Sequence, residues 1–229
     1  MKVLAINGSP RKGWNTEIVL KQALEGAARA GAETELLQLY DEPFKGCVSC
    51  FACKAKNVKK KGVCYHRDAL SPILEKAREA DVLIIGSPIY FDSVTAQTRA
   101  FMERFMFPVD MYMQDRENGG RLRAISKKTP CALIYTMNCP EDVMKSEDFA
   151  YPKMLSVNER NMNRVIGDCE TLFVCDTYQF ADYNKIDCDL FDPEYKKKQR
   201  EQLFPVDCRK AYALGERLVG KAEQLAQNS

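Results

Sequence analysis

The stretch Val3-Leu4-Ala5-Ile6-Asn7-Gly8-Ser9-Pro10-Arg11-Lys12-Gly13-Trp14-Asn15-Thr16 decides the fold. Its four leading apolar residues make a short buried strand that ends at Asn7-Gly8. From Thr16 to Ala30 the apolar residues Ile18, Val19, Leu20, Ala23, Leu24 and Ala27 recur at helical spacing. A strand that passes through a glycine-bearing polar loop into a helix aims unpaired N–H groups and the positive end of the helix dipole at the loop. Gly8 and Gly13 let the backbone come close to a ligand. Ser9, Asn15 and Thr16 add neutral donors, and Arg11 adds a charged one. Trp14-Asn15 stands where a Walker loop needs Lys-Ser/Thr, and the dinucleotide pattern G-x-G-x-x-G is absent. A monophosphate fits what remains.

Outward from this loop, apolar strands alternate with amphipathic helices. Gly31 follows the first helix as a C-cap glycine does. Further strands are expected at Thr34 to Leu39, Asp81 to Gly86, Cys131 to Thr136 and Thr171 to Cys175. Helices are expected at Asp68 to Ala80, Thr95 to Phe107 and Pro205 to Gln227. Short, continuously apolar strands separated by helices predict a parallel sheet covered on both faces. The expectation is an α/β three-layer sandwich with a five-stranded parallel sheet of order 2-1-3-4-5, its ligand site at the carboxyl ends of strands 1 and 3. Residues 1–229 are read as a single domain with three additions: a cysteine loop at 41–66, an excursion at 108–128 and a C-terminal extension at 178–229.

The loop after the third strand, Gly86-Ser87-Pro88-Ile89-Tyr90-Phe91-Asp92-Ser93-Val94, would lie beside the phosphate loop in this topology. A flat aromatic ligand needs apolar contact and main-chain donors at its edge, and Ile89, Tyr90 and Phe91 supply the apolar part. Gly-Ser-Pro-Arg-x-x-x-Asn-Thr after strand 1, Ser-Pro-Ile-Tyr-Phe after strand 3, and Cys-x-x-Cys-x-x-Cys after strand 2 together resemble the NADPH-dependent FMN reductase family, which includes the iron–sulfur flavoproteins. The resemblance covers about Lys2 to Thr136. It implies a flavodoxin-like fold with FMN phosphate on Ser9, Arg11, Asn15 and Thr16, and the isoalloxazine lined by Pro88, Ile89, Tyr90 and Phe91. Asp92 would meet the flavin edge, although the family usually has a small residue there. Met137 and Asn138, after the fourth strand, face the same end of the sheet.

Cys47, Cys50, Cys53 and Cys64 form the sharpest chemical feature. Three thiolates at this spacing can hold one face of a [4Fe–4S] cluster, and a fourth can complete it. Free thiols are the rival reading, because relatives without a cluster keep similar cysteines before a Gly-x-Cys and an acidic residue, like Gly62-Val63-Cys64 and Asp68. Zinc or a redox disulfide is the third. Lys54, Lys56 and Lys59 to Lys61 could attract an acidic partner; the bland reading is an exposed loop. The sole histidine, His66, reads as a loop-capping or exposed residue, and Tyr178, Tyr183 and Phe191 as packing across a dimer.

The chain of 229 residues carries 34 Lys+Arg against 32 Asp+Glu. So balanced a charge, with no arginine-rich stripe, gives no nucleic-acid footprint. No apolar run is long enough for a signal peptide or membrane span, so a cytoplasmic location is expected. No Ser-His-Asp set or paired acid motif supports hydrolysis. The resulting reading is an FMN-dependent oxidoreductase that moves electrons between NAD(P)H, or a ferredoxin-like protein carrier, and an acceptor. The alternative is a non-catalytic flavin or thiol redox sensor or an electron-carrier module. The family resemblance implies a homodimer or homotetramer.

Overall fold

Val3 and Ala5 of the first strand enter one apolar core, while Leu4 and Ile6 enter another. This alternation puts the strand in the middle layer of three. The computed structural model describes residues 1–117, 119–125 and 127–228. Asn118 and Ser126, inside the expected excursion, and Ser229, at the end of the extension, lie outside the described residues.

Five parallel strands, β1 (Lys2–Asn7), β2 (Glu33–Gln38), β3 (Val82–Tyr90), β4 (Cys131–Thr136) and β5 (Cys169–Val174), pair in the order β2-β1-β3-β4-β5. This is the expected order. The departure is a sixth, two-residue strand, Ser93–Val94, which folds back antiparallel on the end of β3. The strand from Asp81 to Gly86 therefore runs on to Tyr90.

Helices α1 (Asn15–Arg29) and α7 (Phe204–Gln227) cover one face through Val19, Leu20, Leu214 and Leu218. They touch backbone to backbone. A Cβ on Gly26 would lie 2.0 Å from the Tyr212 carbonyl, and one on Gly215 would lie 1.9 Å from that of Ala23. The other face takes α2 (Leu70–Glu79), α3 (Ala96–Met106) and α5 (Tyr151–Val165), through Leu74, Phe101, Phe105, Leu155 and Met162. A one-turn helix, α4 (Glu141–Lys145), and the polar α6 (Pro193–Gln202) complete the chain.

Pattern reading passed over α5 and α6 for physical reasons. The buried face of α5 includes Asn158, whose amide donates to the Tyr135 hydroxyl at 3.2 Å, so its apolar period is broken. In α6 only Lys196 is buried, which leaves no apolar stripe to detect. Between α3 and β4 the excursion forms an antiparallel hairpin, Asp110–Gln114 with Arg121–Arg123. Among the described residues no helix is long and apolar enough to cross a membrane.

Candidate functional site

The β1–α1 loop leaves the sheet where β1, β3 and β4 end, and close packing shapes it. A Cβ on Gly8 would lie 1.8 Å from Thr98 Oγ1, so no larger residue fits, and Gly13 sits at φ +66°, a conformation glycine adopts without strain. Gly13 N–H donates to Glu17 Oε2 at 2.8 Å. Lys21, by hydrogen bonding, holds the Glu17 carboxyl below the usual carboxylate range, so it stays a charged acceptor. No side chain caps the start of α1; Trp14 carbonyl receives its first helical bond from Ile18 N–H. The N–H groups of the first turn therefore remain for a ligand.

This loop forms one wall of a groove of about 670 Å³, lined also by Pro88, Ile89, Tyr90, Thr136, Met137 and Asn138. Nine of the residues expected around the ligand, Ser9, Arg11, Asn15, Thr16, Pro88, Ile89, Tyr90, Met137 and Asn138, meet there. Thr16 and Thr136 join hydroxyls 2.7 Å apart at its floor.

Phe91 and Asp92 are not brought into the groove. They are the central residues of the turn between Tyr90 and Ser93, with φ of 46° and 64°. Such a turn needs left-handed conformations at both positions. It carries the Phe91 ring fully into solvent and places the Asp92 carboxylate where it accepts from the Tyr151 hydroxyl.

The opposite wall was missed by sequence reading. It is the segment after β5: Thr177, Tyr178, Gln179, Phe180, Asp182, Lys185 and Ile186. The Tyr178 carbonyl accepts from Asn15 Nδ2 at 2.6 Å and from Trp14 Nε1 at 3.3 Å, and the Gln179 carbonyl accepts from Arg11 Nη1 at 2.6 Å. Asn138 Nδ2 donates to Gln179 Oε1 at 2.8 Å. Tyr178 and Phe180 pack on Tyr183, with ring centroids 5.7 and 5.2 Å away. Within this chain these rings therefore face one another, and Phe191 lies under Lys196 Nζ. The segment is fixed by a buried ion pair between Lys196 and Asp176, and Lys196 Nζ also donates to the Asn138 carbonyl at 2.9 Å. The signal that could have found it is Lys196 itself, a lysine in a polar helix that sequence pattern treats as exposed.

Cys47, Cys50, Cys53 and Cys64 all line one small cavity, shared with Gly46, Phe51, His66, Arg104 and Phe107. Ser49 and Phe51 take left-handed φ values of 52° and 53°. Such turns can gather backbone N–H groups into a concavity for an anionic group. Among the described residues no three Cys, His, Asp or Glu side chains stand at the spacing of a ready single-ion site. Burial pushes the Cys53 thiol up, against the pull of Lys54. Lys54 is half-buried and donates to the Phe107 and Asp110 carbonyls, whereas Lys56 and Lys59 to Lys61 are exposed. His66 lies 3.7 Å from Asp68.

Residues 1–125 match the family described as NADPH-dependent FMN reductase. An iron–sulfur flavoprotein of Methanocaldococcus jannaschii is 41% identical over 104 residues, covering 45% of this chain and 51% of that protein. The match thus spans about half the length of that curated relative, as it does of others named iron–sulfur flavoprotein. Among solved structures, an NAD(P)H:quinone oxidoreductase from Methanothermobacter marburgensis superposes with TM-score 0.67 at 13% identity, over 95% of this chain and 96% of that one. An archaeal flavodoxin superposes with TM-score 0.50 at 11% identity, over 97% and 99%. At such identities the two structures speak for the flavodoxin-like fold alone.

Proposed function

Because this chain belongs to the NADPH-dependent FMN reductase family, we propose that it binds FMN in the groove at the carboxyl ends of β1, β3 and β4 and acts as an oxidoreductase. The observation that carries the proposal is the convergence of an uncapped helix start, Ser9, Arg11, Asn15 and Thr16 with the apolar edge of Pro88, Ile89, Tyr90 and Met137 in that one groove. FMN, when bound, supplies hydride and single-electron chemistry that no side chain here provides.

The chain's own residues bind, orient and shield. The first-turn N–H groups, the Ser9 hydroxyl and Arg11 take the phosphate. Thr16, its hydroxyl shared with Thr136, fixes the loop against the sheet. Ile89 and Tyr90 would offer the ring system an apolar surface, and Asn138 with Gln179 would offer it amide groups. The segment 177–186 limits water on the open side. No side chain is required as acid or base.

NAD(P)H is the proposed reductant, taken up transiently over the exposed side of the ring, with a ferredoxin-like carrier as the alternative electron source. Cys47, Cys50, Cys53 and Cys64 would hold a [4Fe–4S] cluster, which would supply single-electron chemistry. What supports this is the shared cavity and the four-thiol donor set. The spacing of a single-ion site does not bear on it, since each thiolate of a cubane binds a different iron. A homodimer or homotetramer in the cytoplasm is the proposed working form.

Two experiments test the reading. An anaerobic absorption spectrum with iron and sulfide analysis should show flavin bands and about four irons per chain; flavin bands without iron would leave the cysteines as thiols. The double variant Arg11→Ala, Thr16→Ala should lose FMN affinity, and unchanged affinity would remove the phosphate assignment.

A further inference from the structure

Arg104 is the largest fully buried side chain among the described residues, and its side chain is 0% exposed. A guanidinium cannot shed its charge at such a site, so it is held only where its donors are used. Its acceptors have one thing in common. Nη1 donates to the Lys45 carbonyl at 3.0 Å and to the Asp68 carboxylate, and Nη2 donates to the His66 carbonyl at 2.6 Å. Lys45 lies two residues before Cys47, and His66 lies two residues after Cys64. One rigid fork on α3 therefore grips both ends of the cysteine loop. The same guanidinium and Cys64 line the one cavity that the four cysteines share. Its Nε–H is buried without a partner among the described residues.

The neighbouring contacts have the same sense. Glu103 Oε2 accepts from Cys47 N–H at 3.3 Å. Gly46 lies so close to α3 that a Cβ would meet Glu103 Oε2 at 3.0 Å. Lys54 ties the middle of the loop to the carbonyls that follow α3.

We propose that Arg104 is the positioning residue of the cysteine loop: it closes the loop by drawing its two ends to α3 and keeps its buried charge at the cavity that all four thiols face. The part of this that concerns a bound cluster rests on the cluster reading above; the closure of the loop does not. A buried positive charge at that cavity would raise the reduction potential of a bound cluster, and a loop held at both ends would orient its ligands. A lysine keeps the charge but offers no planar fork, so it cannot hold two carbonyls and a carboxylate at once.

The test compares wild type with Arg104→Lys, each loaded with FMN and reconstituted anaerobically with ferrous iron and sulfide. Three quantities are read: FMN per chain, iron per chain, and amide hydrogen exchange across residues 45–68 before iron is added. Arg104 lies outside the flavin groove, so FMN content should be unchanged and serves as the control for folding. Exchange at both ends of the loop should rise by about tenfold or more, and iron uptake should fall several-fold. Unchanged exchange in Arg104→Lys overturns the proposal. If wild type itself takes up no iron, the cluster reading falls, and exchange alone decides the closure. If Arg104→Lys does not hold FMN, Asp68→Asn keeps the guanidinium and removes one of its anchors. Faster exchange at both loop ends then supports the proposal, and exchange equal to wild type overturns it.

Discussion

Asn15 Nδ2 donates a 2.6 Å hydrogen bond to the carbonyl of Tyr178, and Asn15 Oδ1 accepts from Arg200 at 2.8 Å. The first residue of α1 is thereby tied to both the groove wall and α6, more than 160 residues later in the chain. The amide that sequence reading assigned to phosphate is engaged in holding the wall over the phosphate loop.

Asn15→Asp tests this arrangement. The change keeps the acceptor for Arg200, removes the donor to Tyr178, and adds negative charge beside the phosphate site. FMN affinity should fall by about tenfold or more, or ~1.4 kcal/mol, in a flavin fluorescence titration. An affinity equal to wild type would show that the tie has no part in binding.

The Lys196–Asp176 pair fixes the same wall from behind, with side chains only 3% and 6% exposed. Lys196→Met leaves the Asp176 carboxylate buried without its counter-ion, and the Tyr195 hydroxyl alone does not neutralise it. The expected loss is about 3–5 kcal/mol, read from urea denaturation, together with faster FMN release. A loss under about 1 kcal/mol, the range of an exposed pair, would contradict the burial.

The cysteines should differ in reactivity. Burial pushes the Cys175 thiol up to about 12, and Cys131 and Cys169 are buried in the sheet. Cys47 and Cys50 are exposed. At about pH 8, where the thiolate reacts, iodoacetamide should modify Cys47 and Cys50 in the iron-free protein long before Cys131, Cys169 or Cys175. Peptide mass mapping gives the order, and early labelling of Cys175 would refute it.

Acid stability follows from Glu170. Burial would raise its carboxyl, but the hydrogen bonds from Arg217 and Lys221 outweigh this and hold it below its ordinary value of 4.5. A depressed folded-state value means that the stabilisation is complete above the ordinary value and is lost as pH falls through the folded one. Glu170→Gln should therefore be less stable than wild type at neutral pH, and the difference should shrink as pH falls below the ordinary value of 4.5. Urea midpoints across that range measure it, and a constant difference between the two proteins would reject the assignment.

The sheet order was legible in the sequence because buried parallel strands write themselves as unbroken apolar runs, as in Val82-Leu83-Ile84-Ile85. The groove's loops were legible because glycine and polar donors cluster between a strand and a helix. What stayed hidden depends on contacts between residues distant in sequence. The wall at 177–186 is placed by Lys196 and Asn15. The turn at Phe91 and Asp92 points its side chains outward because two left-handed residues redirect them. The closure of the cysteine loop depends on Arg104, which in sequence looks like one more charge on an amphipathic helix.

The most direct test of the central claim is a paired fluorescence titration of the protein with FMN and with riboflavin. Saturation at one FMN per chain, with riboflavin bound at least about a hundredfold more weakly, ~2.7 kcal/mol, is the expected result. No saturable FMN binding, or riboflavin bound as tightly as FMN, would contradict the assignment of the Asn7 to Thr16 loop as the phosphate site.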